Sequence, residues 1–237
     1  MRTHLHIGVQ DEPLALAKAE RVRGTLAKLR PPVTTTLVLA PARTSRTGTS
    51  VNAIEQALLD GRCDVAVRHV KDMPAVPLVH QGTVVAAYPR RGDVGALILA
   101  SHALDLLDQE HRISEVLPVE RPPLGAAATA LQCRNDDEET IAVVGLLDDT
   151  RTRREIEAER MLRCVLRAGG HVPSAGFCTT RPNGQLSLRG VLFQADGGWF
   201  IVSHQRGTNS MDLGIAVGFE LFSSRFHHLF AARAAQP

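Results

Sequence analysis

The chain has 237 residues, 44% of them hydrophobic, 22% charged and 4% aromatic, with a formal net charge of +2. That is enough apolar material for one large or two modest cores. It offers too little excess positive charge and too few rings for a protein that neutralises phosphates or stacks bases. The N-terminus, Met1-Arg2-Thr3-His4-Leu5-His6, has no apolar leader, and no apolar run reaches membrane-spanning length. The expectation is a cytoplasmic protein with no nucleic-acid and no membrane partner. Cys63, Cys133, Cys164 and Cys178 lie far apart without a CxxC pair, which favours reduced thiols over a disulfide framework or a zinc knuckle.

Leu5–Val9 reads as a first strand, and Gln10-Asp11-Glu12-Pro13 as the turn after it. A helix follows from about Pro13 to Leu29, with proline in its first turn and an apolar stripe of Leu14, Ala17, Val22, Leu26 and Leu29. Val33–Ala40 is a second strand, 41–50 a polar loop, and Val51–Asp60 a helix stopped by Gly61. A third strand begins at Asp64, and Thr83–Tyr88 and Ala96–Ala100 add two more. This alternation of strand and helix predicts a central, mostly parallel sheet with helices on its faces.

Beyond Ala100 the pattern changes. Ala103–Glu115 is helical, Arg121-Pro122-Pro123 breaks the chain, and Ala126–Arg134 is a weak apolar strand. Acidic residues from Asp136 to Glu139 open a helix through Leu147, as the helix dipole prefers. Asp149 or Thr150 caps a longer helix reaching Ala168. Val172–Thr180, Gln185–Ala195 and Trp199–His204 read as three antiparallel strands, with turns at Pro182-Asn183-Gly184 and Asp196-Gly197-Gly198. Ser210–Leu221 closes the fold as a helix, and the tail from Ser223 is unassigned. The fold class is therefore α/β, with an α/β domain over 1–147, a small α+β domain over 148–225, and a tail over 226–237.

The stretch that carries chemistry is Asp64-Val65-Ala66-Val67-Arg68-His69-Val70-Lys71-Asp72-Met73-Pro74. A β-branched strand delivers Lys71 and Asp72 immediately before a proline, where a strand must stop and a cleft commonly opens. Lysine occurs only at 18, 28 and 71, while arginine is frequent. A lysine retained at such a place is a compact point charge rather than a planar fork. A solvated Lys–Asp pair at a strand end accounts for the same spacing. Arg43 lies in a polar loop that reads either as solvated or as a wrap for an anion. His69, Asp72 and His171 are a conceivable zinc set, but no close ligand spacing supports it, and no metal is expected. There is no Gly-rich nucleotide fingerprint, nucleophile elbow or HExxH.

The Lys-Asp stretch resembles the Asp-x-Ala-Val-His-Ser-Leu-Lys-Asp-x-Pro element of the porphobilinogen deaminase (hydroxymethylbilane synthase) family of tetrapyrrole biosynthesis. Ile7-Gly8 with Pro13-Leu14-Ala15-Leu16 resembles that family's opening, and Glu55-x-Ala57-Leu58-Leu59-x-Gly61-x-x-Asp64 its next helix. Further matches follow in order: Pro89-Arg90-x-x-Asp93, Arg112-Ile113-Ser114-Glu115-Val116-Leu117-Pro118, Ala158-Glu159-Arg160, and Gly169-Gly170-His171-Val172-Pro173. The resemblance implies a type II periplasmic-binding-protein-like domain followed by the family's three-stranded C-terminal domain. It also implies that Asp72 is the catalytic carboxylate, stabilising positive charge on a pyrrole nitrogen. Lys71 would neutralise a ligand carboxylate. Arg68 and His69 stand where the family has histidine and serine, and either bind the ligand or serve the fold.

The departures define the expected function. The family's middle domain, with its two arginine-bearing motifs, has no counterpart near residue 100. The cysteine that carries the dipyrromethane cofactor falls at Gly170, so no attached cofactor is expected. The family's N-terminal arginine falls at Gln10. The expectation is a degenerate family member, not a full hydroxymethylbilane synthase. It would bind a pyrrole or another carboxylate-bearing metabolite at an Asp72/Lys71/Arg68/His69 half-site, with His171 and Arg43 as cleft neighbours. Any activity would be of the transferase or deaminase type. The alternative expectation is a non-catalytic interaction or regulatory protein, a pseudoenzyme. Its exposed half-cleft would be covered by a partner chain or by a second copy.

Overall fold

The computed structural model describes residues 2–40, 53–70, 73, 83–89, 122–126, 128–168, 172–194 and 199–234. They form two compact units, the first running through Thr150 and the second taking 122–126 and everything from Arg151 onward. The strand read at Ala96–Ala100, the helix read at Ala103–Glu115, the loop 41–50 and the turn at Asp196-Gly197-Gly198 lie outside the described residues.

The first unit contains β1 (His4–Gln10), α1 (Pro13–Leu26), β2 (Thr34–Ala40), α2 (Ala53–Leu59), β3 (Val65–His69), β4 (Thr83–Ala87), β5 (Thr129–Arg134) and α3 (Glu138–Gly145). The strand order is β2-β1-β3-β5-β4. β1 is parallel to β2 and to β3, whereas β5 runs antiparallel to both β3 and β4. The sheet is mostly parallel, as the alternation predicts. The weak apolar run after the double proline becomes a central strand, because burial between two neighbours rewards a continuous apolar sequence.

One sheet face carries Leu5, Ile7, Val9, Val65 and Val67, packed on Ala19, Val22 and Leu26 of α1 and on Val143 and Val144 of α3. Each fully buried side chain of this size contributes about 1.5–3 kcal/mol. The intervening residues turn to α2, where Ala40, Ile54, Ala57, Leu58, Cys63 and Ala66 form a second core. A Cβ on Gly8 would stand 2.6 Å from Cys63 Sγ, so the bare backbone there admits the thiol. α1 stops at Leu26 rather than Leu29. The chain continues in tighter turns, with Lys28 N–H donating to the Thr25 carbonyl at 3.1 Å and Leu29 N–H to the Leu26 carbonyl at 3.2 Å, and Val33 N–H then donates to the same Leu26 carbonyl at 3.2 Å.

A charged cluster ties the amino end of β3 to α3. Arg2 Nη1 is 2.8 Å from both Asp64 Oδ1 and Asp137 Oδ2, and Arg134 Nη2 is 2.8 Å from Asp137 Oδ2. Asp137 also caps α3, accepting from the Thr140 N–H at 3.1 Å. Burial opposes ionisation of Asp137 most strongly. The bonds from Thr140 and the charges of Arg2 and Arg134 together outweigh it and hold the carboxyl below its ordinary range.

The second unit contains α4 (Thr150–Ala168), β6 (Ser174–Thr180), β7 (Leu186–Phe193), β8 (Phe200–Gly207) and α5 (Ser210–Ala234). The strands form an antiparallel β6-β7-β8 sheet. Its turn at Pro182-Asn183-Gly184 closes with Gly184 at φ +79°, the left-handed conformation that glycine adopts without strain. Leu162 and Leu166 of α4 and Leu213, Val217 and Leu221 of α5 pack on Leu186, Leu188 and Leu192 of β7. Gly214 lets α5 press onto α4, since a Cβ there would meet the Ala158 carbonyl oxygen at 2.6 Å. α5 continues past Leu221 to Ala234, beyond the reading from sequence. The stretch from Ser223 lacks glycine and proline and holds alanine, leucine and arginine, which favour helix.

The outer edge of β6 is sealed. Its Gly176 N–H donates to the Pro122 carbonyl at 2.9 Å, Cys178 N–H to Glu159 Oε1 at 2.8 Å, and Thr180 N–H to Glu155 Oε1 at 2.6 Å. Glu159 is fully buried, and its second oxygen accepts from the Gly125 N–H at 2.7 Å. Two acids of one helix thus satisfy an exposed strand edge that would otherwise leave buried donors unpaired.

Candidate functional site

From β1 the chain passes through α1 to β2 on one side. From β2 it passes through α2 to β3 on the other side of β1. The carboxyl ends of β1 and β3 therefore flank a point where the connections diverge, the place at which open α/β sheets bind ligands. β3 is buried over Val65–Arg68 and half-buried at His69. Its alternation sends Ala66 and Arg68 toward α2, and Val67 and His69 toward α1.

Arg68 is 7% exposed. Its Nη1 donates to Gln132 Oε1 at 3.1 Å and lies 3.4 Å from Glu55 Oε2. Gln132 Nε2 donates to Thr83 Oγ1 at 2.7 Å and to Glu55 Oε1 at 3.3 Å. The four buried side chains link α2, β3, β4 and β5 into one network. A buried guanidinium is tolerable only in such company, so this geometry gives Arg68 a structural job at the end of β3.

On the other face, Lys18 of α1 is 4% exposed, and its ammonium donates to His69 Nδ1 at 2.8 Å and lies against Nε2 as well. Lys18 escaped the sequence reading because a lysine on a helix ordinarily snorkels to water. Two signals point to it: the scarcity of lysine, and its place four residues before Val22 on the buried stripe. Lys71, Asp72, Arg43, Gly170 and His171 lie outside the described residues. Among the described residues there is no group of three or more histidine, cysteine or acidic side chains able to hold a metal. Nor is any helix among them long and apolar enough to cross a membrane.

Known proteins resemble most of the chain. Residues 5–96 match the family model described as "Porphobilinogen deaminase, dipyromethane cofactor binding domain". Porphobilinogen deaminase 2 of Streptomyces coelicolor is 32% identical over 275 aligned residues, which take in 85% of this chain and 87% of the relative. The chain belongs to the porphobilinogen deaminase family. A second member of the family, porphobilinogen deaminase of Brevibacillus brevis, is 29% identical over 238 residues, 74% of this chain and 76% of its own length. The Streptomyces alignment has 275 positions yet takes in only 85% of a 237-residue chain. Many aligned positions of that porphobilinogen deaminase therefore have no counterpart here.

The cofactor named in the family description needs residues to hold it. Cys63 is the only thiol in 5–96 and is fully buried. Burial, reinforced by the charge of Asp64, pushes it up to about 11. Cys133 is likewise buried and pushed up to about 12. Neither supplies a thiolate at neutral pH. Cys178 is buried inside the second unit, and Cys164 is partly accessible on α4. The three buried thiols do not fit the role of a cofactor anchor.

Proposed function

We propose that the protein is a shortened porphobilinogen deaminase that keeps one side of the family's cleft. It binds, and acts in a single step on, a pyrrole or another small carboxylate-bearing metabolite. The observation that carries this reading is the carboxyl end of β3, where a buried network fixes Arg68 and a buried ammonium backs His69, three residues before Asp72. Arg68 and His69 then act on the ligand mainly by holding the strand end in register. Lys71 meets a carboxylate, and Asp72 stabilises positive charge developing on the substrate nitrogen. His171 and Arg43 are the cleft neighbours to probe next.

The aligned positions without counterpart support the loss of the middle domain near residue 100, and with it half of the clamp on a growing chain. Positioning contributes roughly 7–11 kcal/mol to a barrier, so a protein without that clamp and without an anchored dipyrromethane should not build a tetrapyrrole. The test is incubation of the purified chain with porphobilinogen, following its consumption and the intact protein mass. Consumption that Asp72→Asn abolishes supports the reading. No consumption and no bound porphobilinogen would sink it, and a stable mass increase would show that a covalent primer exists after all.

A further inference from the structure

β2 is an end strand of its sheet, and each of its residues is in parallel register with β1. Thr34 N–H donates to the Thr3 carbonyl at 2.9 Å, and the Ala40 carbonyl accepts from the Asp11 N–H at 3.0 Å. In a parallel ladder alternate residues bond the same neighbour. Thr34, Thr36, Val38 and Ala40 therefore turn their backbone groups toward β1, and Thr35, Leu37 and Leu39 turn theirs away from the sheet. Among the described residues these outward N–H and carbonyl groups have no hydrogen-bond partner. The other three sheet ends are defended. β6 is sealed by Pro122, Glu155 and Glu159, β8 carries His204 and Arg206, and β4 loses register with β5 between Val85 and Ala87. Covering, charge and irregularity are the usual barriers to strand-to-strand association. β2, Thr34-Thr35-Thr36-Leu37-Val38-Leu39-Ala40, has no charge, proline, glycine or bulge, and Leu39 is 55% exposed.

We propose that the β2 edge is the interface of a reversible homodimer, in which β2 pairs antiparallel with β2 of a second copy about a two-fold axis at Leu37. The strand is self-complementary in that arrangement. Leu37 meets Leu37 of the second copy, Thr35 meets Leu39, and every outward N–H finds an outward carbonyl. An unrelated strand has no such symmetry to satisfy, which is why a second copy is the occupant. A formal net charge of +2 puts little repulsion between copies. A strand of this length runs about 23 Å, and a sheet layer is about 10 Å thick. The edge thus covers about 230 Å² per copy, against about 800 Å² per partner in a standard stable interface. The dimer is accordingly weak and concentration-dependent, with a Kd of roughly 10–100 μM. The inference does not depend on what the carboxyl ends of the strands bind.

The test is sedimentation velocity of the full chain over a concentration series, with Leu39→Pro and Leu39→Lys beside wild type. The Leu39 N–H points away from β1, so proline there removes a bond of the dimer and none of the sheet. Lysine keeps the N–H and supplies an ordinary edge defence, and it decides alone where the proline variant does not fold. The expected result is a monomer–dimer equilibrium in wild type, weakened about tenfold or more in the variants, with melting temperatures of dilute samples unchanged. Leu37→Cys and Thr36→Cys read the register under mild oxidation, with peptide mass mapping. The two 37 positions face one another at about 5.5 Å between Cα atoms, within disulfide reach, whereas the two 36 positions lie on a diagonal of about 8 Å. A disulfide between the 37 positions and none between the 36 positions upholds the proposal. A wild type that stays monomeric at several hundred micromolar would overturn it. So would a dimer indifferent to the Leu39 variants, or cross-linking at 36 as ready as at 37.

Discussion

Arg68→Met is the substitution that separates a structural from a ligand-binding role at the end of β3. Methionine matches the aliphatic stem of arginine but removes the guanidinium that Glu55, 2% exposed, faces. Removing one member of a buried ion pair costs about 3–5 kcal/mol. The 3.4 Å Arg68–Glu55 separation and the amide of Gln132 beside both groups place this case near 3 kcal/mol, the low end of that range. For a chain of this length the loss corresponds to a fall in melting temperature of roughly 6–12 °C. Urea unfolding should show a lower midpoint with an unchanged slope. Pairing Arg68→Met with Glu55→Leu replaces both charges by apolar groups, and should recover about 2 kcal/mol of the loss. Two results would refute the reasoning. One is Arg68→Met within about 1 kcal/mol of wild type. The other is a double variant no better than the sum of the two single losses. A stable Arg68→Met protein that no longer retains porphobilinogen would instead place the guanidinium on the ligand.

Glu159→Ala should cost about 3–5 kcal/mol, because it orphans the buried N–H groups of Gly125 and Cys178 and opens a cavity beside them; chemical denaturation checks it. Gly214→Ala should destabilise the second unit by about 1–3 kcal/mol, since α5 must move off the Ala158 carbonyl, and a neutral effect by calorimetry would contradict the packing. Cys63 and Cys133 should resist iodoacetamide in the folded protein at pH 8 and react once urea unfolds it, as peptide mass mapping would show. The same raised thiols bind their protons more tightly folded than unfolded. The stability they contribute is complete below pH 9.0, the unperturbed value, and is lost as pH climbs toward about 11 and 12.

Sequence pattern made β1, α1, β2, α2 and β3 legible, because alternation, Pro13 and Gly61 are local signals that the neighbouring residues enforce. The three strands of the second unit were legible for the same reason, their turn marked by Pro182-Asn183-Gly184. The position of β5 between β3 and β4 was not, since strand pairing joins residues as distant as Arg68 and Ala130. The same distance hid the Arg68–Gln132–Thr83 network. Arg68 and His69 were readable as the end of a strand entering a cleft, but not which face each would take with which partner. Lys18 looked like an ordinary solvated helix residue, and only the packing of α1 on the sheet shows that its ammonium stays inside. Gln10 was legible as the loss of an arginine.

The two acids along β6 have a consequence for how this chain can change length. Four residues of helix advance about 6 Å, while two residues of strand advance about 6.6 Å. Glu155 and Glu159 therefore mesh with Thr180 and Cys178 like two teeth of a rack, in step over this short stretch and drifting out of step beyond it. One residue inserted between the acids would swing the second tooth by a quarter turn or more around the helix, and one inserted between Cys178 and Thr180 would flip the strand's edge. An insertion or deletion between Glu155 and Glu159, or between Cys178 and Thr180, thus breaks one of the two bonds, and the spacing of two and four can change only if both elements change together.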